Sequence, residues 1–330
     1  MRIVFAGDWI PMAQECRFQS GISAVGNLEC AFADGAVSSG KAYTSVVPFS
    51  FLNNIDKVGF SAISVANNHV YDAGQRGFDL LTAELGRRRV NYFGAREKPY
   101  AELADGSLKV AVIGCLEPCR SRGPGIFRQE DVLQLVKGIR SSFDKVYAYP
   151  HWGKEGEYTR WPSPAQQKLA RKWIDAGVDG VFGSHSHVFQ GKEEYKGKPI
   201  YYSLGNYLFP HSEGRLYDGT HDGMSVAIDG ENIVENYHHF EDDGSFCENP
   251  AGLDIMAAIS RPLCSWSAWK WAKAVGPFNL SKNAASWRIR LKKNFWMTLP
   301  KFLVWQLMPQ TVFFRIAALL GRHRAGKCER

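Results

Sequence analysis

The feature that most constrains the fold is an alternation of apolar, strand-like runs with amphipathic helical segments through the first 240 residues. This alternation is typical of α/β proteins, in which helices pack on a largely parallel sheet. Strands are predicted over residues 3–6, 63–66, 109–114, 145–149, 180–183, 199–203, 224–228 and 233–240, the last two as an antiparallel hairpin. Helices are predicted over residues 51–58, 75–88, 130–139 and 164–176. The last has the clearest boundaries, since Ser163 is a suitable N-cap, Pro164 takes the first helical position and Gly177 follows the end.

Polar clusters follow the predicted strands, where open α/β sheets gather their active sites. The clusters are Gly7-Asp8, Gly26-Asn27-Leu28-Glu29, Asn67-Asn68-His69-Val70-Tyr71-Asp72, His151-Trp152-Gly153-Lys154-Glu155 and Gly183-Ser184-His185-Ser186-His187. Four of the nine histidines fall within them. Each cluster alone is also common in structural loops, but five of them in one chain indicate a site.

The residue types in these clusters suit divalent metal ions. Imidazole and carboxylate groups bind zinc, manganese or iron, and the mixed set suits a pair of ions. His185 and His187 are two residues apart, so in an extended chain both would face one side and could serve two adjacent ions. A carboxylate such as Glu29 would bridge the two ions, which lie about 3.5–4 Å apart in sites of this kind.

The Asn68-His69 segment adds a further ligand and a proton-transfer group. Asn68 offers a neutral amide oxygen to a metal. His69 is then left as a general acid or as a positive group near the reacting bond, and Asp72 could fix its tautomer.

Net charge, cysteine content and the length of the first apolar run limit the expected binding partners and the cellular compartment. A net charge of +7 and a pI near 9.0 favour an acidic partner, such as a phosphate ester, a polyanionic polymer, nucleic acid or anionic lipid. Seven cysteines at irregular spacings do not form a disulfide framework. The first apolar run reaches only about five residues before Asp8, which is shorter than a secretory signal needs, so we expect a cytoplasmic protein.

The segment 246–330 has a different texture and is predicted to be a helical appendage. It is rich in tryptophan and in basic residues, and from residue 261 onward Glu329 is its only acid. Tryptophan combined with lysine and arginine is typical of segments that lie in a membrane interface. The alternative is a helical cap packed on the catalytic domain. A nucleic-acid partner is not expected, because no recognised binding motif accompanies the charge.

In chain order, these clusters resemble the bacterial capsule-synthesis CapA family, also called the poly-γ-glutamate capsule family. That family is similar to the calcineurin-like metallophosphoesterases. Gln190 and the run Tyr202-Ser203-Leu204-Gly205-Asn206 extend the resemblance, which covers residues 1–210 closely. It implies a four-layer αββα sandwich of metallophosphoesterase type, with the site at the strand ends, in a domain of residues 1–245.

The resemblance also implies a role for each residue. Asp8 and His187 would bind the first metal ion, with Glu29 as the bridge. Asn68, His151 and His185 would bind the second. His69 would be the acid near the leaving group, and Asn27, Glu155 and Asn206 would support the ligands or contact substrate.

Two residues depart from the phosphoesterase pattern. The position two residues after the first aspartate usually holds a histidine, and here it is Ile10. The bridging residue is Glu29 rather than an aspartate. The resemblance therefore implies either one poorer metal site or a bond other than a phosphoester.

The function expected from these features is metal-dependent hydrolysis of a phosphoester or amide bond in the biosynthesis of capsule or another surface polymer. The substrate would be an anionic polymer, such as poly-γ-glutamate or a polysaccharide, or a phosphorylated molecule. The alternative is a non-catalytic accessory protein that uses the site for binding within a polymer-synthesis complex. A nucleotide phosphoesterase is a third possibility, and fold-level likeness alone does not choose among them.

Overall fold

The computed structural model describes residues 2–11, 22–35, 44–105, 108–117, 123–153, 160–209, 221–240 and 246–249, with positions 252, 253, 256 and 260. Apart from position 260, these residues belong to one compact unit, Met1–Met256. Most of the appendage predicted for residues 246–330 lies outside the described residues, as does Glu155. No helix among the described residues is long and apolar enough to cross a membrane.

The described residues form sixteen strands and four α-helices. The strands are β1 (Arg2–Trp9), β2 (Ser23–Leu28), β3 (Ala31–Phe32), β4 (Val46–Val47), β5 (Ala62–Ser64), β6 (Tyr92–Phe93), β7 (Tyr100–Asp105), β8 (Leu108–Leu116), β9 (Lys145–His151), β10 (Gly180–Phe182), β11 (Lys192–Tyr195), β12 (Lys198–Tyr201), β13 (Asn206–Leu208), β14 (Asp222–Asp229), β15 (Asn232–Phe240) and β16 (Phe246–Glu248). The helices are α1 (Ile55–Val58), α2 (Gly74–Arg87), α3 (Val132–Ile139) and α4 (Pro164–Asp175), and three short 3-10 helices cover Phe49–Asn54, Gln129–Asp131 and Arg140–Ser142.

The larger sheet has the strand order β16-β15-β14-β1-β2-β5-β6, and β13 also pairs with β1. Strands β1, β2, β5 and β6 are parallel to one another, and β13 is parallel to β1. The other three strands are antiparallel, and β14 with β15 forms the predicted hairpin. Strand β16 lies within the segment predicted as the appendage, yet it pairs with β15 and so belongs to this sheet.

The second sheet has the order β11-β12-β10-β9-β8-β7. Its four inner strands are parallel, and the two edge strands are antiparallel to their neighbours. Strands β8 and β9 are almost continuously buried, which explains their unbroken apolar sequences, since parallel strands are covered on both faces.

The two sheets pack face to face through aromatic side chains. The ring of Phe5 in β1 stacks on Phe182 in β10 at 3.9 Å and meets Tyr147 in β9 edge-on at 5.3 Å. The hydroxyl of Tyr149 donates a hydrogen bond to the carbonyl of Ala6 at 2.6 Å, which ties β9 to β1. These contacts fix the ends of strands from both sheets relative to one another.

Helices cover the outer face of each sheet. Helix α2 buries Phe78, Leu81 and Leu85, spaced one and two turns apart, in the core behind the larger sheet. Helices α3 and α4 bury a similar stripe, including Val136 and Trp173, behind the second sheet. The layers are therefore helix, sheet, sheet and helix, and the predicted α/β fold with a four-layer arrangement is confirmed.

Some elements differ from the sequence prediction. The helix predicted at 51–58 is a 3-10 helix followed by the single turn of α1. Eight strands were missed: β2, β3, β4, β6, β7, β11, β13 and β16. In β2, the residues Gly26 and Asn27 are weak strand formers, and pairing with β1 and β5 outweighs that local preference.

The start of α4 generates a prediction about stability. The Ser163 hydroxyl accepts the Gln166 N–H at 3.2 Å, and the Gln166 side chain accepts the Ser163 N–H at 2.8 Å. We expect Ser163→Ala to lower the free energy of unfolding by about 1 kcal/mol, because a backbone donor of the first turn loses its partner. Urea denaturation measures this change. The exposed Ser141→Ala is the matched control, and an equal loss in both variants would contradict the capping role.

Candidate metal centre

The predicted site residues converge where the parallel strands of the two sheets end. The larger sheet supplies Asp8 in β1, Asn27 and Glu29 at the end of β2, Asn68, His69 and Asp72 after β5, and Asn206 at the start of β13. The second sheet supplies His151 at the end of β9, and His185 and His187 after β10. All ten are buried. Among the residues predicted for the site, only Glu155 falls outside the described part of the chain.

Asp8 is fixed from both sheets. Its Oδ1 accepts the side-chain N–H of Asn27 at 2.7 Å, and its Oδ2 accepts the backbone N–H of His185 at 3.0 Å. Its own N–H donates to the carbonyl of Gly205 at 2.9 Å. The preceding residue must be glycine, because a Cβ on Gly7 would lie 1.9 Å from that carbonyl oxygen. The Gly-Asp motif therefore follows from the close approach of two backbones.

The His185-Ser186-His187 segment corrects one expectation. It is a bend and not an extended chain, and both histidines have positive φ, 101° for His185 and 54° for His187. For non-glycine residues this conformation costs roughly 1–3 kcal/mol each. The imidazoles reach the site because the backbone turns there, and strain of this kind is concentrated at functional sites.

Two groups of donor atoms share one carboxylate. Glu29, His151 and His185 form one group, and Asp8, Glu29 and His187 form the other; within each, the candidate ligand atoms lie within 4.8 Å of one another. The division of the histidines between the groups is the one that the resemblance implies. That these residues bind metal stays a prediction.

The group around His151 has the spacing of a metal coordination sphere. His151 Nε2 lies 2.6 Å from Asn68 Oδ1, 3.1 Å from His185 Nδ1 and 3.3 Å from Glu29 Oε1. An ion with bonds of about 2.0–2.2 Å separates neighbouring ligand atoms by roughly 3 Å. His151 Nδ1 lies 2.9 Å from Ser184 Oγ and 3.3 Å from Asn27 Nδ2; binding of a metal ion by Nε2 would require the ring proton to be on Nδ1, where Ser184 can accept it.

The group around His187 is oriented by Asn206. His187 Nδ1 lies 2.8 Å from Asn206 Oδ1, an oxygen that only accepts hydrogen bonds, so Nδ1 carries the proton. The lone pair is then on Nε2, which lies 3.9 Å from Glu29 Oε1. Such a bond from the second ring nitrogen is typical of metal-binding histidines, because it fixes both tautomer and ring orientation.

His69 and Asp72 form the expected pair. His69 Nδ1 lies 2.6 Å from Asp72 Oδ2, and the same oxygen accepts the backbone N–H of Ser45 at 2.8 Å. The Ser45 hydroxyl also donates to the carbonyl of Glu29 at 3.0 Å. Ser45 was not predicted, and it links the backbone of Glu29 to the His69–Asp72 pair.

The side-chain amide of Asn67 also supports the site. Asn67 donates to Asn27 Oδ1 at 3.2 Å and to the carbonyl of Leu28 at 2.7 Å. Its own Oδ1 accepts the backbone N–H groups of His69 and Val70 at 3.0 and 2.8 Å. Asn67 belongs to a motif noted in the sequence but had no predicted role, and here it holds the loop that carries His69.

Glu117 is a further strand-end carboxylate that was not predicted. It follows β8, and its Oε2 accepts the backbone N–H of Gly153 at 2.8 Å, next to the end of β9. Its position directly after a strand was the available signal. By contrast Ile10, two residues after Asp8, is buried in the apolar core and offers no ligand atom.

Two buried groups beside the site have raised pKa values. Burial and the nearby Glu29 and Asp72 carboxylates raise the pKa of the Cys30 thiol well above its ordinary value. Burial, Asp8 and Glu29 likewise raise the pKa of the Tyr149 hydroxyl. Buried carboxylates are costly unless cations or hydrogen bonds compensate them. Carboxylate, imidazole and amide donors at this spacing thus fit divalent metal ions.

Comparison with known proteins finds relatives that are named for the synthesis of capsule, PGA or polyglutamine, and three of them are described here. The chain is 28% identical over 228 residues to the capsule biosynthesis protein CapA of Bacillus anthracis, which covers 64% of this chain and 52% of the relative. It is 28% identical over 177 residues to the PGA biosynthesis protein CapA of Bacillus subtilis, covering 49% and 46%. A probable polyglutamine synthesis accessory protein of Mycobacterium tuberculosis is 26% identical over 167 residues, covering 43% of each chain. The chain thus spans about half the length of the curated relatives it matches.

Among solved structures, the chain is similar to a hypothetical protein from Thermus thermophilus, with a TM-score of 0.47, 12% identity and coverage of 76% of this chain and all of that one. A phosphatase from Mycoplasma pneumoniae also has a TM-score of 0.47, with 11% identity, covering 77% of this chain and 96% of that one. The family described as bacterial capsule synthesis protein PGA_cap matches residues 13–211, which is more than half of the sequence. That match includes nine of the ten described site residues, all but Asp8. The chain belongs to the PGA_cap family of bacterial capsule synthesis proteins.

Proposed function

We propose that this chain is a metal-dependent hydrolase that cleaves a phosphoester or amide bond in the biosynthesis of a capsule or other surface polymer. The observation that carries the proposal is the pair of donor groups that share Glu29. A carboxylate common to two sets of ligands is the arrangement that holds two cations close together.

In this proposal, each of two metal ions has its own set of ligands. Asp8, Glu29 and His187 would hold one, and Glu29, Asn68, His151 and His185 would hold the other. Mixed oxygen and nitrogen donors suit manganese, zinc or iron. Two such ions, when bound, supply a nucleophile at neutral pH and stabilise negative charge that develops on the attacked group.

His69 is the residue best placed to handle a proton. Asp72 accepts a hydrogen bond from Nδ1 and so orients the ring. Asn68, His69 and His187 are 7%, 6% and 5% exposed, whereas Asp8, Glu29 and Asp72 have no exposure. The substrate would therefore approach from the side of these three residues, where the His69 imidazole can give a proton to the leaving group.

The polymer context comes from the family and from charge. The relatives in two Bacillus species are named for capsule and PGA biosynthesis. The positive charge of the chain lies in residues 261–330, which carry 14 basic residues and one acidic residue, and this segment would attract a polyanion such as poly-γ-glutamate, which carries a carboxylate on every residue. An anionic polymer or a phosphorylated precursor is the substrate class that we propose.

A non-catalytic accessory role is the second candidate. The apolar Ile10 removes one imidazole from the Asp8 side, and the Mycobacterium tuberculosis relative is named as an accessory protein. In that role the same residues would bind an anionic polymer through the metal ions without cleaving it.

The proposed metal site generates a prediction about the number of bound ions. We expect the purified chain to hold about two transition-metal ions and Glu29→Gln to lose most of both, because the neutral amide cannot bridge two cations. Elemental mass spectrometry measures the stoichiometry after reconstitution with manganese or zinc. The exposed Glu102→Gln is the matched control. No metal in the wild-type chain would rule out the proposed hydrolysis.

The His69–Asp72 pair generates a prediction about turnover. His69→Gln should reduce turnover about 10²- to 10⁴-fold while the metal content stays unchanged, because a positioned proton donor is lost and no ligand is removed. Release of nitrophenol from a phosphodiester and of glutamate oligomers from poly-γ-glutamate are the two assays. His239→Gln, a substitution away from the ligands, is the control.

The outcomes of these assays separate the candidate functions. Rapid cleavage of simple nitrophenyl phosphodiesters would favour a nucleotide phosphoesterase. Full metal occupancy without turnover of either substrate would favour the accessory role. Cleavage of the polymer that depends on His69 would support the proposal.

The basic, tryptophan-rich segment of residues 261–330 supports a further proposal, peripheral binding to the inner face of the membrane. We expect the full chain to sediment with vesicles that contain phosphatidylglycerol, and to be released as salt is raised, since basic residues meet anionic headgroups. Vesicles of phosphatidylcholine alone are the control. Equal binding to both vesicles would contradict the electrostatic contribution.

A further inference from the structure

A fifth histidine, His238, lies next to the candidate metal centre, on the hairpin of the larger sheet. His238 in β15 faces Gly223 in β14, and its ring reaches past that glycine to strand β13. His238 Nε2 lies 3.2 Å from the carbonyl oxygen of Asn206 and 3.1 Å from that of Tyr207. Its ring also meets the Tyr207 ring edge-on at 5.5 Å.

Gly223 makes this contact possible. A Cβ at this position would lie 1.8 Å from the carbonyl oxygen of Asn206 and 2.6 Å from His238 Nε2. Any side chain here would displace β13, the imidazole or both. The glycine and the histidine therefore act together to seat β13 against the sheet.

The direction of the hydrogen bonds follows from the partners. Both are carbonyl oxygens, which only accept, so Nε2 carries the proton and donates. Burial lowers the pKa of His238 to about 4, although the hydrogen bonds to Asn206 and Tyr207 act in the opposite direction. The ring is therefore neutral near pH 7, and it positions β13 through a directional hydrogen-bond donor and not through a charge.

Asn206 connects this contact to the candidate ligands. Its backbone pairs with Asp8 of β1, and its side-chain oxygen accepts the hydrogen bond from His187 Nδ1 at 2.8 Å. His187 is the single imidazole of the Asp8–Glu29–His187 group, since Ile10 offers no ligand atom. The orientation of this one ring therefore matters more than it would in a site with two histidines.

We propose that His238 is a positioning residue for the Asp8–Glu29–His187 metal site. By holding the carbonyls of Asn206 and Tyr207, it sets the Asn206 amide that keeps His187 Nε2 directed at the ion. The inference rests on the metal binding in the proposed function, but it does not depend on which bond is cleaved.

The effect is specific to one of the two donor groups. His151 contacts Ser184, and His185 is held by its backbone bond to Asp8. The His151 contact is made away from β13, and the His185 contact reaches β13 only through Asp8, which β1 also holds by its pairing with β2. A loss of His238 should therefore weaken one metal-binding step and leave the other close to its wild-type value.

Three variants of the full chain test this. His238→Phe keeps a planar ring and removes the donor, whereas His238→Gln keeps a side-chain N–H of similar reach. The control is His239→Phe, one residue along the strand, which removes a comparable hydrogen bond to Asp222 at 2.8 Å. Stepwise dissociation constants for manganese and zinc are measured in competition with a chromophoric chelator.

We expect His238→Phe to weaken one binding step about 10- to 100-fold, the usual effect of losing a group that supports a ligand. His238→Gln should recover most of that affinity. Unchanged affinity at both steps, an equal loss at both, or the same loss in His239→Phe would overturn the proposal. A wild-type chain without metal would overturn the proposed function as well, so the two failures are distinguishable.

A measurement on the wild-type chain covers the case in which His238→Phe does not fold. NMR of protein labelled with ¹⁵N-histidine reports the protonated ring nitrogen of each imidazole. We expect the proton on Nε2 of His238 and on Nδ1 of His187. A neutral His238 ring with its proton on Nδ1 would overturn the proposal, because no donor would then face β13.

Discussion

The burial of the Asp8 and Glu29 carboxylates is the constraint on which the rest of the structure depends. Neither has any solvent exposure, and a carboxylate removed from water is costly unless charge or hydrogen bonds compensate it. The protein places amides, imidazoles and a backbone N–H around them, so much of the polar sequence at the strand ends exists to hold these two groups. Divalent cations would complete the compensation, and their binding would then contribute to the stability of the fold.

The packing of the two sheets determines whether the site exists at all. Asp8 and Glu29 come from the larger sheet and His151 and His185 from the second, so no single sheet carries a full set of ligands. The stacked rings of Phe5 and Phe182 hold the sheets in one register. Because each donor group combines residues from both sheets, sliding one sheet by a single residue would separate the histidines from Glu29.

The sequence predicts the fold well where a strand is long and apolar, and it predicts the membership of the site because polar residues interrupt those strands at their ends. Prediction is weaker where the determining contact is distant in sequence. Strand β2 forms although Gly26 and Asn27 disfavour it, and the His185 bend has a positive φ because Asp8, 177 residues earlier, accepts its N–H. The role of Ser45 depends on Asp72 in the same way, since no local pattern records which carboxylate it will meet.

The resemblance to the metallophosphoesterases leads one to expect a histidine at position 10, and the apolar Ile10 changes what the remaining residues would have to do in the proposed metal site. With an extra imidazole, an ion at Asp8 and His187 could tolerate some freedom in either ligand. With one imidazole, affinity depends on how little that ring moves, and rigidity has to come from neighbours that never touch the ion. Asn206 and the backbone of β13 supply it from one side, and the pairing of β13 with β1 supplies it from the other. In the proposed site, metal affinity would therefore depend on the hydrogen bonds of the sheet that hold His187 in place. Substitutions that break these bonds would weaken metal binding even though they lie far from the ions.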